Sequence, residues 1–314
     1  MGARYVVTIA EELDEPARQR ARQAIEAELA LVDRLMSTWR DDSELSRFNR
    51  SEAGVAFGAS PETIEVLATA ARISEWSGGA FDVTVGPLVR AWGFGADARV
   101  RAVPSDVEIA SVRELTSYRL LALDVPRRTV TKARAGVSCD LSSIAPGYAA
   151  DRVVAALGAL GHRHVLVDIG GEIKAVGRRP DGAPWRVGVA WPWAGDGPQA
   201  PASAHLAAVA LDGLAMATSG DYRDFFVDTL GRRRSHVLDP RTGWPVAHAL
   251  ASVSVVRPSA AEADALATAL MVLGPEEGGH LAERAQLAAY FVLRRQDGTF
   301  ETRQTPPFAA LRVE

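Results

Sequence analysis

Asp264 and Thr268 stand four residues apart in a run dominated by Ala and Leu. On a helix that spacing puts both oxygens on one face, one turn apart. A carboxylate and a hydroxyl there are hard ligands suited to Mg²⁺ or Ca²⁺. The plainer reading is an exposed Asp beside a Thr that bonds back to its own helix, and spacing alone favours it. His236 lies in a second group, Ser235-His236-Val237-Leu238-Asp239-Pro240-Arg241-Thr242-Gly243. Its imidazole could act as a general base near neutral pH, and Arg241 could hold a phosphate or a nearby carboxylate. A hairpin in which Asp239 and Gly243 serve only the turn fits the same residues. The other five histidines, His162, His164, His205, His248 and His280, have no comparable setting and read as surface or structural.

Five further stretches carry polar residues with Gly at element ends. Ala217-Thr218-Ser219-Gly220-Asp221-Tyr222 could let backbone amides approach an anion, or could end a strand in a polar turn. Asp140 to Tyr148 reads as a strand giving way to a helix start, where unpaired N–H groups could face phosphate, or as a Ser cap followed by Pro. Val167 to Glu172 could bring backbone close to a flat ring system or be a β-turn. Gly79 to Leu88 precedes Trp92. In Met36-Ser37-Thr38-Trp39, Met36 and Trp39 could flank a flat ring, although Met and aromatic residues at a helix end are more often core. Together these groups describe a groove with phosphate, metal and aromatic contacts. A Walker A sequence, a Gly-x-Gly-x-x-Gly, a His-Glu-x-x-His and a Gly-x-Ser-x-Gly elbow are all missing.

The elements that must position these residues are legible in outline. Tyr5–Ile9 reads as a strand from its β-branched content. Pro16 opens a helix with Ile25, Leu29, Val32 and Met36 on one face, running out near Thr38-Trp39. Ser60-Pro61-Glu62 starts another, with Ile64, Leu67 and Ala71 inward and Gly78-Gly79 at its end. Gly147 to Leu157 is helical with Val153 and Leu157 inward, and His164 to Ile169 is a strand. Residues 178–204 read as a loop or an excursion of the sheet. Ala251 to Val256 is a strand, Ser259 to Leu273 a helix with a capping box at Ser259 and Glu262, and Val292-Leu293 a late strand. Helices and strands mix without strict βαβ alternation, which favours α+β over a doubly wound sheet.

The chain has 314 residues, 47% hydrophobic and 24% charged, ordinary for a folded protein with a sizeable core. Its single cysteine, Cys139, excludes an internal disulfide and a Cys-rich zinc site. The net charge of -4 gives no electrostatic case for nucleic acid. Its apolar runs are shorter than the ~20 residues of a bilayer helix. No basic stretch followed by an apolar one opens the chain, so taken literally it is cytoplasmic.

In this order the clusters resemble the ApbE family of FAD:protein FMN transferases. The matching stretches are Met36 to Thr38 with Asp42 to Asn49, Gly79 to Gly86, Asp140 to Asp151, Asp168 to Glu172, Ala217 to Tyr222, His236 to Val246, and Glu262 to Gly274. The resemblance implies a single domain over residues 1–314, α+β and related to the tunnelling fold, with two lobes and a ligand groove between them. It implies FAD as substrate and Mg²⁺ as the metal, with Ca²⁺ or Mn²⁺ as alternatives. The FMN half would move to a Thr hydroxyl of a target flavoprotein, with AMP released. Asp264 and Thr268 match the family's metal ligands, joined by the Ala145 carbonyl. His236 matches the His assigned to proton transfer. Met36, Ser37, Trp39, Asp82, Glu172, Thr218, Ser219 and Arg241 fall in cofactor-binding blocks.

Two departures stand out. The family usually has Lys where this chain has Pro146, and often Gly or Ala at Ser142 or Ser143. Losing the Lys removes a cation that the resemblance would put near the phosphates; Trp39 in place of a frequent Tyr keeps the stacking surface. Family members are often exported and lipid-anchored, so a cell-envelope location follows if a leader was removed. A metal-dependent FAD pyrophosphatase and a non-catalytic flavin-binding accessory protein are the competing functions.

Overall fold

The N-terminal β-branched run forms strand β1 (Tyr5–Ile9), antiparallel to β2 (Val165–Ile169). A turn at Gly170-Gly171 leads into β3 (Glu172–Val176). Strands β4 (Leu214–Gly220), β5 (Leu250–Arg257), β6 (Ala288–Arg294) and β7 (Phe300–Gln304) then complete a seven-stranded antiparallel sheet in that order. The structure, a computed structural model, describes residues 4–96, 101–192 and 205–313. The chain divides into two units, one of Met1–Ala30, Pro146–Arg223 and Ala249–Glu314, the other of Leu31–Ala145 and Asp224–His248.

The first unit holds the sheet. Antiparallel register alternates its faces. One face carries Met216, Val256, Tyr290 and Val292, which join Trp185, Val187, Val209, Leu211 and Phe308 in a buried cluster. Several of these partners belong to a three-stranded sheet made of Trp185–Ala190, His205–Leu211 and Arg312–Val313. The excursion expected over 178–204 therefore contains a strand, and its residues 193–204 lie outside the described residues. The opposite face carries Glu172, Lys174, Ala215, Ala217, Ser219, Val253 and Val255.

Three long helices accompany the sheet: α1 (Glu15–Met36), α2 (Ala145–Ala159) and α3 (Ala260–Arg284). Helix α1 stops at Met36, just short of the expected Thr38-Trp39, and continues out of the first unit after Ala30. Helix α3 packs on β4 and β5. Its N-cap is Ser259, which accepts from the Glu262 N–H as the capping box predicts. It was expected to end at Leu273 but runs on to Arg284 through a break. Gly274 takes a φ of +77°, and Pro275 restarts the helix where a missing N–H costs nothing.

Gly147 sets the approach of α2 to α3. A Cβ there would land inside the van der Waals shell of the Ala260 carbonyl oxygen, a backbone atom that cannot rotate away. Gly147→Ala is expected to destabilise the fold by about 2–3 kcal/mol. Thermal unfolding measures this, and an unchanged midpoint would show that the helices separate freely.

The second unit contains helices Glu44–Arg50, Pro61–Trp76, Gly86–Ala91 and Asp106–Arg113, a small sheet of Phe57–Gly58, Thr129–Lys132 and Leu121–Asp124, and two hairpins. Ser60 caps Pro61–Trp76 as expected. Ile64 and Leu67 are buried, but the inward face continues through Ala70 and Ser74, leaving Ala71 exposed at its margin. Residues 137–140 are not a strand, so the expected strand-to-helix passage into α2 is instead a loop and turn. One core of this unit gathers Leu88, Trp92, Ile109 and Leu238, with Phe226 and Trp244 packed against it.

Candidate functional site

In the first unit, β3 and α3 bring two acids to the helix-covered face of the sheet. Glu172 opens β3, just after a turn in which the Gly171 N–H donates to Asp168 Oδ1 at 2.9 Å. Asp264 lies one turn into α3, and its Oδ2 accepts from the Gly147 N–H near the start of α2 at 3.2 Å. Asp264 is 8% and Glu172 7% exposed, so the plain expectation of an exposed Asp264 does not hold. The side chain is buried because α3 packs flat on β4 and β5.

Burial and the neighbouring Glu172 charge hold the Asp264 carboxyl well above the usual carboxylate range; the Gly147 N–H and Arg223 pull the other way. Burial pushes Glu172 up to about 7, opposed by Arg223 and helped by Asp168. Among the described residues neither acid has an ion-pair partner within 4.0 Å. Thr268 follows Asp264 by one turn, half-buried, its hydroxyl without a protein partner among the described residues. Ala145 is the first residue of α2, two before Gly147.

Two buried acids and an unbonded hydroxyl fit a hard divalent cation, which would relieve their mutual repulsion. No group of three or more His, Cys, Asp and Glu side chains suited to a metal occurs among the described residues. The donors present, two carboxylates and a hydroxyl, are all oxygens, which suits a hard cation such as Mg²⁺ more than a thiolate or imidazole metal.

Ser219 shares the face of Glu172, whereas Thr218 points to the opposite face and bonds Ser254 Oγ at 2.7 Å. Both lie within β4, so the expected polar turn begins only after Gly220.

The second unit holds the other predicted residues. Met36 is buried at the end of α1, while Trp39 is 73% exposed. The Ser37 carbonyl accepts from Ser43 Oγ at 2.6 Å, and its own Oγ accepts from the Trp39 N–H. Asp82 is fully engaged: Oδ1 accepts from the N–H and hydroxyl of Thr84, and Oδ2 from the Tyr118 N–H at 2.6 Å. Arg241 grips Asp239 with Nε and Nη2, both at 3.0 Å, which is the carboxylate half of its expected alternatives.

His236 follows the strand Arg233–Ser235. Its backbone N–H and its Nδ1 both meet the Asp224 carbonyl, at 3.0 and 2.8 Å. A carbonyl only accepts, so Nδ1 carries the proton and Nε2 is the basic nitrogen. Arg101 holds the Asp224 carboxylate at 2.6 and 3.0 Å, fixing the residue that orients the imidazole.

A cavity of about 390 Å³ in this unit is lined by Thr38, Ser46, Asn49, Arg50, Arg90 and Ser138 among others. The buried Ser138 hydroxyl has no partner among the described residues. Asn49 clamps Cys139, donating to its carbonyl at 2.8 Å and accepting from its N–H at 2.7 Å. Lys132, 2% exposed, donates to the carbonyls of Asn49, Val137 and Phe48.

Sequence reasoning missed Arg223, Asp151, Asn49 and Lys132 as individual participants. Asp151 caps α3 from α2, accepting from Ser259 Oγ and from the Ala260 and Ala261 N–H groups. Only a carboxylate aimed at another helix's first turn would have signalled it, and sequence does not show aim.

Residues 1–291 match the ApbE family. An FAD:protein FMN transferase from Haemophilus influenzae is 38% identical over 93% of this chain and 84% of its own length. The crystal structure of the Pseudomonas stutzeri flavinyl transferase ApbE, in its apo form, superposes with a TM-score of 0.87 at 43% identity, covering 98% of this chain and 92% of that one. The flavin transferase ApbE from Vibrio cholerae also gives 0.87, at 35% identity over 99% of this chain and 96% of that one.

Proposed function

Since this chain belongs to the ApbE family, we propose that it acts as an FAD:protein FMN transferase, moving the FMN half of FAD onto a Thr hydroxyl of a target flavoprotein and releasing AMP. The observation that carries the reading is the buried Glu172–Asp264 pair beside Thr268, a setting whose charge calls for a divalent cation. Asp264 and Thr268, with Glu172 beside them and the Ala145 carbonyl added by the family resemblance, would hold Mg²⁺. When bound, the ion neutralises diphosphate oxygens and makes the phosphorus more open to attack.

The chain's own residues do the rest. His236, fixed as the Nδ1–H tautomer by Asp224, takes the acceptor hydroxyl proton at Nε2. The acceptor oxygen bonds the flavin-side phosphorus, the bond from that phosphorus to the bridging oxygen breaks, and AMP leaves with the bridging oxygen. The nucleophile comes from the partner, so no Ser, Thr or Cys of this chain need be activated.

Among the described residues no helix is long and apolar enough to cross a membrane. The family resemblance read from the sequence supports a cell-envelope location, which fractionation of the native host tests.

The deciding experiment incubates the chain with FAD, Mg²⁺ and candidate acceptor flavoproteins, followed by intact-mass analysis and AMP assay. Transfer gives an acceptor carrying covalent FMN and an equal amount of AMP. FMN and AMP without acceptor mass gain indicate a pyrophosphatase, and FAD binding without AMP indicates a carrier.

A further inference from the structure

Against the β2–β3 turn rests an arginine from just beyond β4 that no role above absorbs. Arg223 reaches back over this turn, and its Nη1 donates to the Gly170 carbonyl at 2.6 Å. A Cβ on Gly171 would lie 2.5 Å from its Nη2, so the guanidinium rests directly on the backbone that leads into Glu172. Gly171 also has a φ of +109°, which side-chain-bearing residues rarely adopt.

The mount is rigid. Two residues earlier, Arg294 grips the Asp221 carboxylate at 2.5 and 2.6 Å, and the Asp221 N–H donates to the Ala251 carbonyl at 3.1 Å. The Tyr222 ring lies so close to Gly220 that a Cβ there would meet it at 2.5 Å.

Arg223 is nonetheless exposed, and the Gly170 carbonyl is its sole hydrogen-bond partner among the described residues. Glu172 and Asp264 feel its charge, yet neither lies within ion-pairing distance. A guanidinium has five N–H donors in a planar fork that matches phosphate oxygens. One set is anchored on a carbonyl and the others are unused.

A cation held by Glu172 and Asp264 would itself attract phosphate oxygens, and Arg223 is a cationic side chain resting on the turn that leads into Glu172.

We propose that Arg223 is a binding residue for the diphosphate of the substrate, held ready by the Gly170 carbonyl and admitted by the absence of a side chain at Gly171. The inference rests on the transferase reading, because it presumes a dinucleotide beside the Glu172–Asp264 pair.

Calorimetric titrations of FAD, ADP and riboflavin, each with Mg²⁺, into the wild-type chain, Arg223→Gln and Arg223→Lys test it. Loss of a charge-assisted contact weakens FAD and ADP about tenfold or more in Arg223→Gln, leaves riboflavin unchanged, and leaves the melting temperature unchanged. Arg223→Lys recovers part of the ADP affinity, as a point charge without the fork would. Unchanged ADP affinity in Arg223→Gln overturns the assignment. So does an equal loss for riboflavin, or a lowered melting temperature, since either makes Arg223 a brace for the turn. A wild-type chain that binds neither FAD nor ADP would instead sink the transferase reading, and this inference with it.

Discussion

Asp264→Asn is expected to lower FMN transfer by at least about 100-fold and at the same time to stabilise the metal-free chain above neutral pH. The two effects have one cause. Asp264 and Glu172 are buried together, and each raises the cost of ionising the other. Their folded-state proton affinities exceed those of the unfolded chain. Stability from this pair is thus full in acid and is lost as pH rises, for Glu172 between about 4.5 and about 7. Asn keeps an oxygen for the Gly147 N–H and removes one charge, so the loss shrinks.

Thermal unfolding at about pH 5 and about pH 8, with and without Mg²⁺, reads the difference. The wild-type midpoint falls on going to the higher pH, and Mg²⁺ restores it by mass action. Asp264→Asn gains roughly 3 °C over wild type at the higher pH without Mg²⁺ and does not respond to the ion. A variant that keeps its Mg²⁺ response, or its transfer rate, removes Asp264 from the metal role.

His236→Ala is expected to slow transfer about 100- to 10,000-fold while leaving FAD affinity within about twofold. The tautomer of the ring is the reason. The Asp224 carbonyl accepts from Nδ1–H, which puts the basic lone pair of the neutral ring on Nε2. Single-turnover transfer to an acceptor flavoprotein measures the rate, and FAD titration measures affinity. Matching losses in rate and affinity would make His236 a binding residue and leave the proton without a named acceptor.

Local signals carried much of the architecture. Caps at Ser60 and Ser259, the β-branched run at Tyr5–Ile9 and the apolar spacing of Val153 and Leu157 all depend on residues a few positions apart, and each led to the right element. The errors arose where tertiary packing decides. Thr218 and Ser219 resemble turn residues, but pairing with Ser254 and Val253 holds them in a strand. Gly274-Pro275 resembles a terminus, but the chain resumes helix beyond it.

The site was legible as residue types in order and illegible as contacts. Asp264 with Gly147 and Asn49 with Cys139 are separated by 117 and 90 positions. Arg223 lies just past the Ala217 to Tyr222 stretch and went unread, because nothing near it in sequence tells that its guanidinium folds back onto Gly170.

The interleaving of the two units has a consequence for how the protein is made. Strand β5 is the neighbour of β4, yet residues 224–248, which belong to the other unit, emerge from the ribosome between them. At about 5–20 residues per second, nascent β4 waits a few seconds with an open edge. Open edges recruit foreign strands. Polypeptides truncated before Leu250 should therefore aggregate, and newborn full-length ones should depend on chaperone shielding until translation delivers the missing partner.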